Sequence, residues 1–415
     1  MKILIDNGAT DNIGDLAMLE GIVTLLSSSF PEHELYVVKK NKLHSDIWNL
    51  KGVLSVNDYK ISLLQHNNKS KYYVHLRKLM LFFLMKKIAF GGKSKNLKIS
   101  DCSESTMEEF VSKFDVLHVG GGGFLNDVFV HELIKKVYLI KTFKSQGKPV
   151  VLTGQQVGPF NYKTSFNFFC NVSNDINFFG LRDKLASLYW CKKALVPNNC
   201  YSVTGDDSLG VNSSRDSVTD NIFNKFSLFR NKYIVINMRK AGYAVNKKCE
   251  IEKFIAVLHR IHKKFKLNLL FVPISYNNDD SDVRSGKFVQ RECRDLPINV
   301  VEDVLTPSQA KFIIGNSFGA IGTSYHFCVF ALSEGVPAVC LSSGNYYDQK
   351  SKGIADYWDD KRIAANINDD ENEIIGKVFS IFDDSEFRVK INKIKKEVSI
   401  EWQNKIEKIY NMCIL

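Results

Sequence analysis

The chain has 415 residues, 45% hydrophobic and 24% charged, which is enough apolar material for sizeable cores and enough length for two to three domains. A formal charge of +11 suggests an anionic partner, whether nucleic acid, a membrane surface or a phosphorylated substrate. The basic residues are spread along the chain without a zinc-finger, RNP or basic-helix signature, which excludes nucleic acid as the expected partner; the nine cysteines form no C-x-x-C pair, which excludes a disulfide or zinc scaffold.

The opening MKILIDNGATDNIGD lacks the charged-then-apolar pattern of a secretory signal, so reduced thiols and a cytoplasmic location are expected. KILID (2–6) reads as a buried strand and Asp15 to Ser27 as the helix after it, followed by a second strand, LYVVK (35–39). From Tyr72 to Phe90 an apolar, aromatic run is flanked by Arg77, Lys78, Lys86 and Lys87. It is far short of the roughly 20 residues of a spanning helix. Such a segment either packs against the domain or lies in the headgroup layer of an anionic membrane, at the inner face of the cell membrane.

DVLHVGGGG (115–123) is a strand entering a helix expected over Phe124 to Lys144, and KPVVLTGQQVGP (148–159) is the next strand exit. After a polar stretch the alternation resumes with NKYIVINMR (231–239), a helix near Glu250 to Lys264, LNLLFVPIS (267–275), FGAIGTS (318–324) with its helix, and PAVCLS (337–342). Strands alternating with helices predict an α/β protein of two Rossmann-like domains with parallel sheets and a cleft between them. The expected division is an acceptor-side domain over 1–209, a linker over 210–230, a donor-side domain over 231–365 and a helical region over 366–415.

Candidate functional residues follow the strand ends, where such sheets bind ligands. In NGATDNIGD, Asn12, Gly14 and Asp15 stand at a helix start, where backbone N–H groups meet an anion or a sugar hydroxyl; the alternative is a simple cap. Gly121, Gly122 and Gly123 belong to a four-glycine run that suggests a bare backbone facing phosphate or sugar, although without the lysine of a P-loop. Gln155 in TGQQVGP and the pair Arg182 and Asp183 are further acceptor- or phosphate-side candidates. Arg239 ends a strand, and its planar fork suits carboxylate or phosphate.

His326 falls in the first turn of a helix capped by Thr323 or Ser324, where it can donate to an anion or act as general acid or base. Ser324, Tyr325, Tyr346 and Lys350 complete the candidate donor pocket. The acidic run DDSD (279–282) reads as a solvated loop, and no metal site is expected.

Taken in order, N-x-G-D (12–15), G-G-G (121–123), G-Q-x-x-G-P (154–159), R-D (182–183), G-D-D (205–207) and S-x-H…G-x-P (324–337) resemble the polysaccharide pyruvyl transferase family. The resemblance implies a glycosyltransferase-B-like fold and phosphoenolpyruvate as donor. The acceptor it implies is a sugar of a cell-surface polysaccharide or its lipid-linked precursor, with no cofactor. It makes His326 the acid or base and Arg239 the anion clamp. One departure stands out: the family commonly has arginine two residues before the histidine, and here it is Ser324. Two alternatives follow. One is a glycosyltransferase using a nucleotide-activated sugar, in which a glutamate would stand at the position of Phe330; the other is a catalytically silent scaffold.

Overall fold

The structure is a computed structural model that describes residues 1–6, 11–39, 53–57, 60–61, 81, 83–86, 88, 99–100, 104, 106–240, 247–277 and 281–414. The chain forms two compact units. One comprises Met1–Ala9, Ile22–Asp207 and Asn404–Leu415; the other comprises Thr10–Gly21 and Ser208–Gln403.

In the first unit the main sheet has the spatial order β10 (Tyr201–Val203), β9 (Phe178–Leu181), β8 (Val150–Val157), β6 (Val116–Val119), β1 (Lys2–Asp6), β2 (Glu34–Lys39) and β3 (Val53–Asn57), with all neighbours parallel. A two-stranded antiparallel pair, β4 (Lys60–Ile61) and β5 (Ile99–Ser100), stands apart from it. The central strands are buried throughout, as a sheet covered by helices on both sides requires, with His118, Thr153, Gln155 and Gln156 as buried polar residues among their apolar ones. Asp6, at the end of β1, is neutralised by Lys136 at 3.0 Å, and both side chains are buried.

The helix expected from Phe124 begins later, at Val130. Gly122–Leu125 is instead a short strand, β7, paired in parallel with Gln155 and Val157 of β8. Asn126 ends it, because its Oδ1 accepts from the backbone N–H of Val128 and Phe129 at 2.8 and 3.1 Å. Most of the basic-aromatic segment 72–90 lies outside the described residues. Within it, Leu84, Met85 and Ile88 belong to the hydrophobic core of this unit, and Phe83 remains 63% exposed. Among the described residues no helix is long and apolar enough to cross a membrane.

The second unit has one six-stranded parallel sheet in the order β13 (Ile298–Val300), β12 (Asn268–Phe271), β11 (Tyr233–Asn237), β14 (Gly319–Gly322), β15 (Ala338–Ser342) and β16 (Ala364–Asn366). Chain order therefore reverses direction between β11 and β14. In open parallel sheets such a reversal, at the carboxyl ends of the strands, is where ligands bind. The covering helices follow local rules. Lys248–Phe265 buries Ile251, Phe254, Val257, Leu258 and Ile261 along one stripe and stops where Lys266 turns left-handed at φ 57°. Pro307–Gly315 starts with proline after a reciprocal Thr306–Gln309 cap.

Candidate active site

Arg239 and His326 leave the two strands that flank the reversal in the second unit. Arg239 lies two residues beyond β11, is 8% exposed, and its backbone N–H donates to Thr323 Oγ1 at 2.7 Å. Thr323 in turn donates its N–H to Asn237 O at 3.1 Å, so the exits of β11 and β14 are stitched together. Ser324 caps the helix Tyr325–Ser333 with an extended backbone, which puts Tyr325 and His326 in its first turn. His326 is 7% exposed, with its ring edge-on to that of Tyr325 at 5.1 Å between centroids.

The other face of the imidazole is covered by Gly14. A Cβ built on Gly14 would stand 2.1 Å from His326 Nδ1 and 2.2 Å from its Cγ, so no side chain fits there. Gly14 is held by its neighbours. Its N–H donates to Asn12 Oδ1 at 2.9 Å, the Ile13 N–H donates to Ile274 O at 2.9 Å, and Asn12 pairs with Ser275 in an antiparallel bridge. The segment 12–14 thus joins the loop after β12, and half-buried Asp15 follows in the first helical turn.

Beneath that loop lies Asp282, fully buried. Its Oδ2 accepts from the N–H of Ile274 at 2.9 Å, from Ser275 at 3.0 Å and from Asn237 Nδ2 at 3.2 Å. Burial raises its pKa, while the Arg239 guanidinium and the two backbone N–H groups draw it down. The expectation of a solvated acidic loop is corrected at this residue: Asp282 opens a helix and is sealed by the strands it organises.

Beyond β15, the helix Gly344–Tyr357 brings Tyr346, Tyr347 and Lys350 together. Lys350 Nζ lies 4.5 Å from the Tyr346 ring, 5.3 Å from Tyr347 and 5.8 Å from Tyr325. Lys350 and His326 therefore pack on the same tyrosine, and the second unit gathers Asn12, Gly14, Arg239, Ser324, Tyr325, His326, Tyr346 and Lys350 around the exits of β11, β14 and β15.

The first-unit candidates form a different kind of cluster. Gly121 donates its N–H to Asp207 Oδ2 at 2.8 Å, and Gly122 packs on the Phe124 ring within β7 beside buried Gly123. Gln155 gives its amide to the carbonyls of Val119, Gly120 and Thr153. Arg182 bonds Gln156 Oε1 and lies 3.7 Å from Asp206, while Asp183 caps the next helix through Ser187 N at 2.8 Å. Behind them runs a buried relay. Tyr410 bonds His118 Nδ1, His118 Nε2 meets Thr153 Oγ1 at 2.9 Å, and Thr153 donates to Asp207 Oδ2 at 2.7 Å. Burial pushes the His118 pKa down to about 3. The neutral ring therefore accepts from Tyr410 and donates to Thr153. Among the described residues no group of three or more His, Cys, Asp or Glu could hold a metal ion.

The family model for polysaccharide pyruvyl transferase matches residues 12–345. The chain belongs to the polysaccharide pyruvyl transferase family. It is accordingly a transferase. No curated protein sequence matches it. Similar solved structures include S. aureus MnaA in a co-structure with UDP, with a TM-score of 0.59 and 12% identity over 99% of this chain and 96% of that one. UDP-GlcNAc 2-epimerase from Neisseria meningitidis bound to UDP-GlcNAc follows at 0.57 and 13%, over 99% and 100%. Anabaena Alr3699/HepE in complex with UDP stands at 0.57 and 9%, over 99% of each chain. At such identities the likeness is one of fold, the glycosyltransferase-B-like pair of Rossmann-like units.

One residue that supports the site of the second unit was not visible as such in the sequence. Asp282 sat in an acidic run whose composition suggests solvent, and only its place at a helix start, seven to eight residues beyond the strand exit it braces, hints otherwise. Glu334, near the ribose-holding position of nucleotide-dependent relatives of the fold, is occupied elsewhere. It pairs with Lys311 at 3.7 Å and Lys395 at 2.9 Å and accepts from Ser213 at 3.0 Å. Phe330, at the position itself, is fully buried.

Proposed function

We propose that this transferase moves a pyruvyl group from phosphoenolpyruvate onto a sugar of a cell-surface polysaccharide or its lipid-linked precursor, in the cytoplasm at the inner face of the membrane. The observation that carries the reading is the imidazole of His326 held at a helix start between Tyr325 and the bare backbone of Gly14, at the neighbouring strand exits from which Arg239 also leaves. Ketal formation needs a proton at the enol methylene, which leaves a cation-like carbon. One sugar hydroxyl adds to that carbon, the C–O bond to phosphate breaks, and a second hydroxyl closes the ring. Of the two hydroxyl protons released, one balances the proton given to the methylene and the other leaves with phosphate. His326 is suited to deliver and recover these protons because its ordinary pKa lies near neutrality.

Arg239 would grip the donor carboxylate. Lys350, on its tyrosine platform, would supply the phosphate contact that Ser324 does not. The chemistry asks for no metal or cofactor and involves no nucleic acid. Asn12, Asp15 and the first-unit candidates are assigned to the acceptor side. The UDP and UDP-GlcNAc in similar solved structures suggest a nucleotide-sugar donor as the second reading. Buried Phe330 and ion-paired Glu334 leave that reading without its ribose acceptor. Thermal-shift titration with phosphoenolpyruvate against a panel of UDP-sugars separates the two, since only the donor raises the melting temperature. The expected result is a rise with phosphoenolpyruvate that His326→Ala retains and Arg239→Ala abolishes. A rise with a UDP-sugar alone would replace the proposal.

A further inference from the structure

We propose that the first unit carries a seat for an anionic membrane surface, centred on the helix Ala186–Lys193 and on Tyr162. The starting point is misplaced apolar surface. Leu185 and Tyr189 are 63% and 55% exposed and lie one helical turn apart, with the Tyr189 N–H on Leu185 O. Tyr162 is 64% exposed, and Leu195 follows the helix with 80% exposed. Isolated exposed apolar residues are ordinary, but a connected set is not.

The connection runs through Trp190. Its ring packs against Tyr189 at 5.1 Å, Phe166 at 5.3 Å and Phe160 at 5.2 Å, and Lys193 Nζ lies 4.9 Å above it. Phe166 sits on the helix that follows Tyr162, and Tyr162 also borders an apolar cavity of about 340 Å³ lined by Leu81, Met85 and Val130. Phe83, between Leu81 and Met85 in the chain, is 63% exposed. The single carboxylate lining this cavity, Asp127, accepts from the backbone N–H groups of Asn161 and Tyr162.

Charge then selects the partner. Lys163, Lys184, Lys192 and Lys193 are exposed around these side chains, and Lys86 is exposed beside Phe83. The carboxylates between Pro159 and Gly205 are Asp175, near Lys141, and Asp183, buried as a helix cap. Lysines interleaved with Tyr, Leu and Phe fit the headgroup and upper acyl layer of an anionic leaflet, where amphipathic side chains keep their charged ends in water. A protein partner of ordinary polarity would not require a patch nearly free of carboxylates.

This inference does not rest on the donor assigned above, and its test contains no donor. The full chain is sedimented with vesicles of phosphatidylcholine alone and with vesicles containing about one-third phosphatidylglycerol. Binding is expected to the anionic vesicles only, to weaken with added salt, and to fall at least tenfold in the double variant Leu185→Ser, Tyr189→Ser. A second double variant, Lys192→Glu, Lys193→Glu, should lose binding to a similar degree, since each lysine near a charged leaflet contributes about fivefold. Melting temperatures within a degree or two of the parent establish that both variants fold. The proposal falls if the parent chain stays in the supernatant with anionic vesicles, or if both variants bind as it does. It also falls if the parent proves to be a dimer that the Leu185→Ser, Tyr189→Ser pair dissociates, which would give the patch to a second copy.

Discussion

Gly14 and His326 are 312 positions apart in the chain, yet the imidazole lies on the glycine backbone so closely that a single added methyl would stand 2.1 Å from Nδ1. The contact gives Gly14 a physical reason to carry no side chain, because any Cβ there would collide with the imidazole. Gly14→Ala must displace the ring or lift the helix start. Overpacking of this kind costs about 1–3 kcal/mol. Displacing a catalytic group by about 1 Å costs on the order of a hundredfold in rate. A fall of that size in kcat for phosphate release, with a modest drop in melting temperature, is the expected outcome. Full activity in the alanine variant would remove His326 from the chemistry or show that the ring is free to move.

Asp282 carries that geometry one step further back. Its Oδ2 holds two backbone N–H groups of the loop that pairs with Asn12 and Ile13, so it positions Gly14 without touching any substrate. Asp282→Ala strands three donors in a dry interior at about 1–3 kcal/mol each and should unfold or badly weaken the second unit. Asp282→Asn keeps an acceptor oxygen for the loop and should stay folded. If the role is positioning, the asparagine variant recovers most of kcat at unchanged KM for the donor. Equal collapse of both variants in activity, with both well folded, would point to direct participation instead.

The alternation of strands and helices, and the residues at the strand ends, were legible in the sequence for local reasons. Apolar runs such as YIVIN and AVCLS read as buried strands, and each is followed by polar residues, Arg239 after the first and the helix start Ser343–Gly344 leading to Lys350 after the second. What it could not carry was which strand ends meet. Nothing near Gly14 encodes the ring of His326, and nothing near Asp282 encodes the loop that buries it. The Gly-rich exit enters its helix later than expected, at Val130, for a related reason. Its glycines were needed for pairing beside β8 and for a backbone contact to Asp207, and the strand they form is invisible to a pattern that expects a helix after every strand. For Leu84, Met85 and Ile88, of the two readings open in the sequence, packing against the domain is the one the structure shows.

The relay through His118 makes the first unit sensitive to acid. The ring is neutral in the fold, with its pKa held at about 3 by burial, against an ordinary value of 6.5 in the unfolded chain. The unfolded state therefore binds more protons between these two values, so stability is complete above pH 6.5 and is lost as the pH falls toward 3. The slope from this one residue approaches about 1.4 kcal/mol per pH unit. His118→Asn should lower stability at neutral pH, where the hydrogen bonds to Tyr410 and Thr153 are weakened, and should flatten the acid limb. Denaturant midpoints measured from pH 7 to pH 4 read both effects, and an unchanged acid limb would show that some other group controls it.

Glu334 offers a direct separation of structural from donor-binding roles. It sits near the place where a nucleotide-dependent enzyme of this fold holds ribose, but Lys311, Lys395 and the Ser213 hydroxyl already surround it, and the Gly315 backbone approaches its side chain too closely for a Cβ. Glu334→Gln removes a charge from a largely buried network in which Lys311 also feels Glu20 and donates to Val211 O, a loss of about 1–3 kcal/mol. The melting temperature should therefore fall by several degrees while the KM for phosphoenolpyruvate stays within a factor of two. The same variant should change no UDP-sugar affinity, because none is expected. If Glu334→Gln instead left stability intact and abolished binding of a UDP-sugar that the parent holds, the carboxylate would be a ribose ligand and the ion pairs incidental to it.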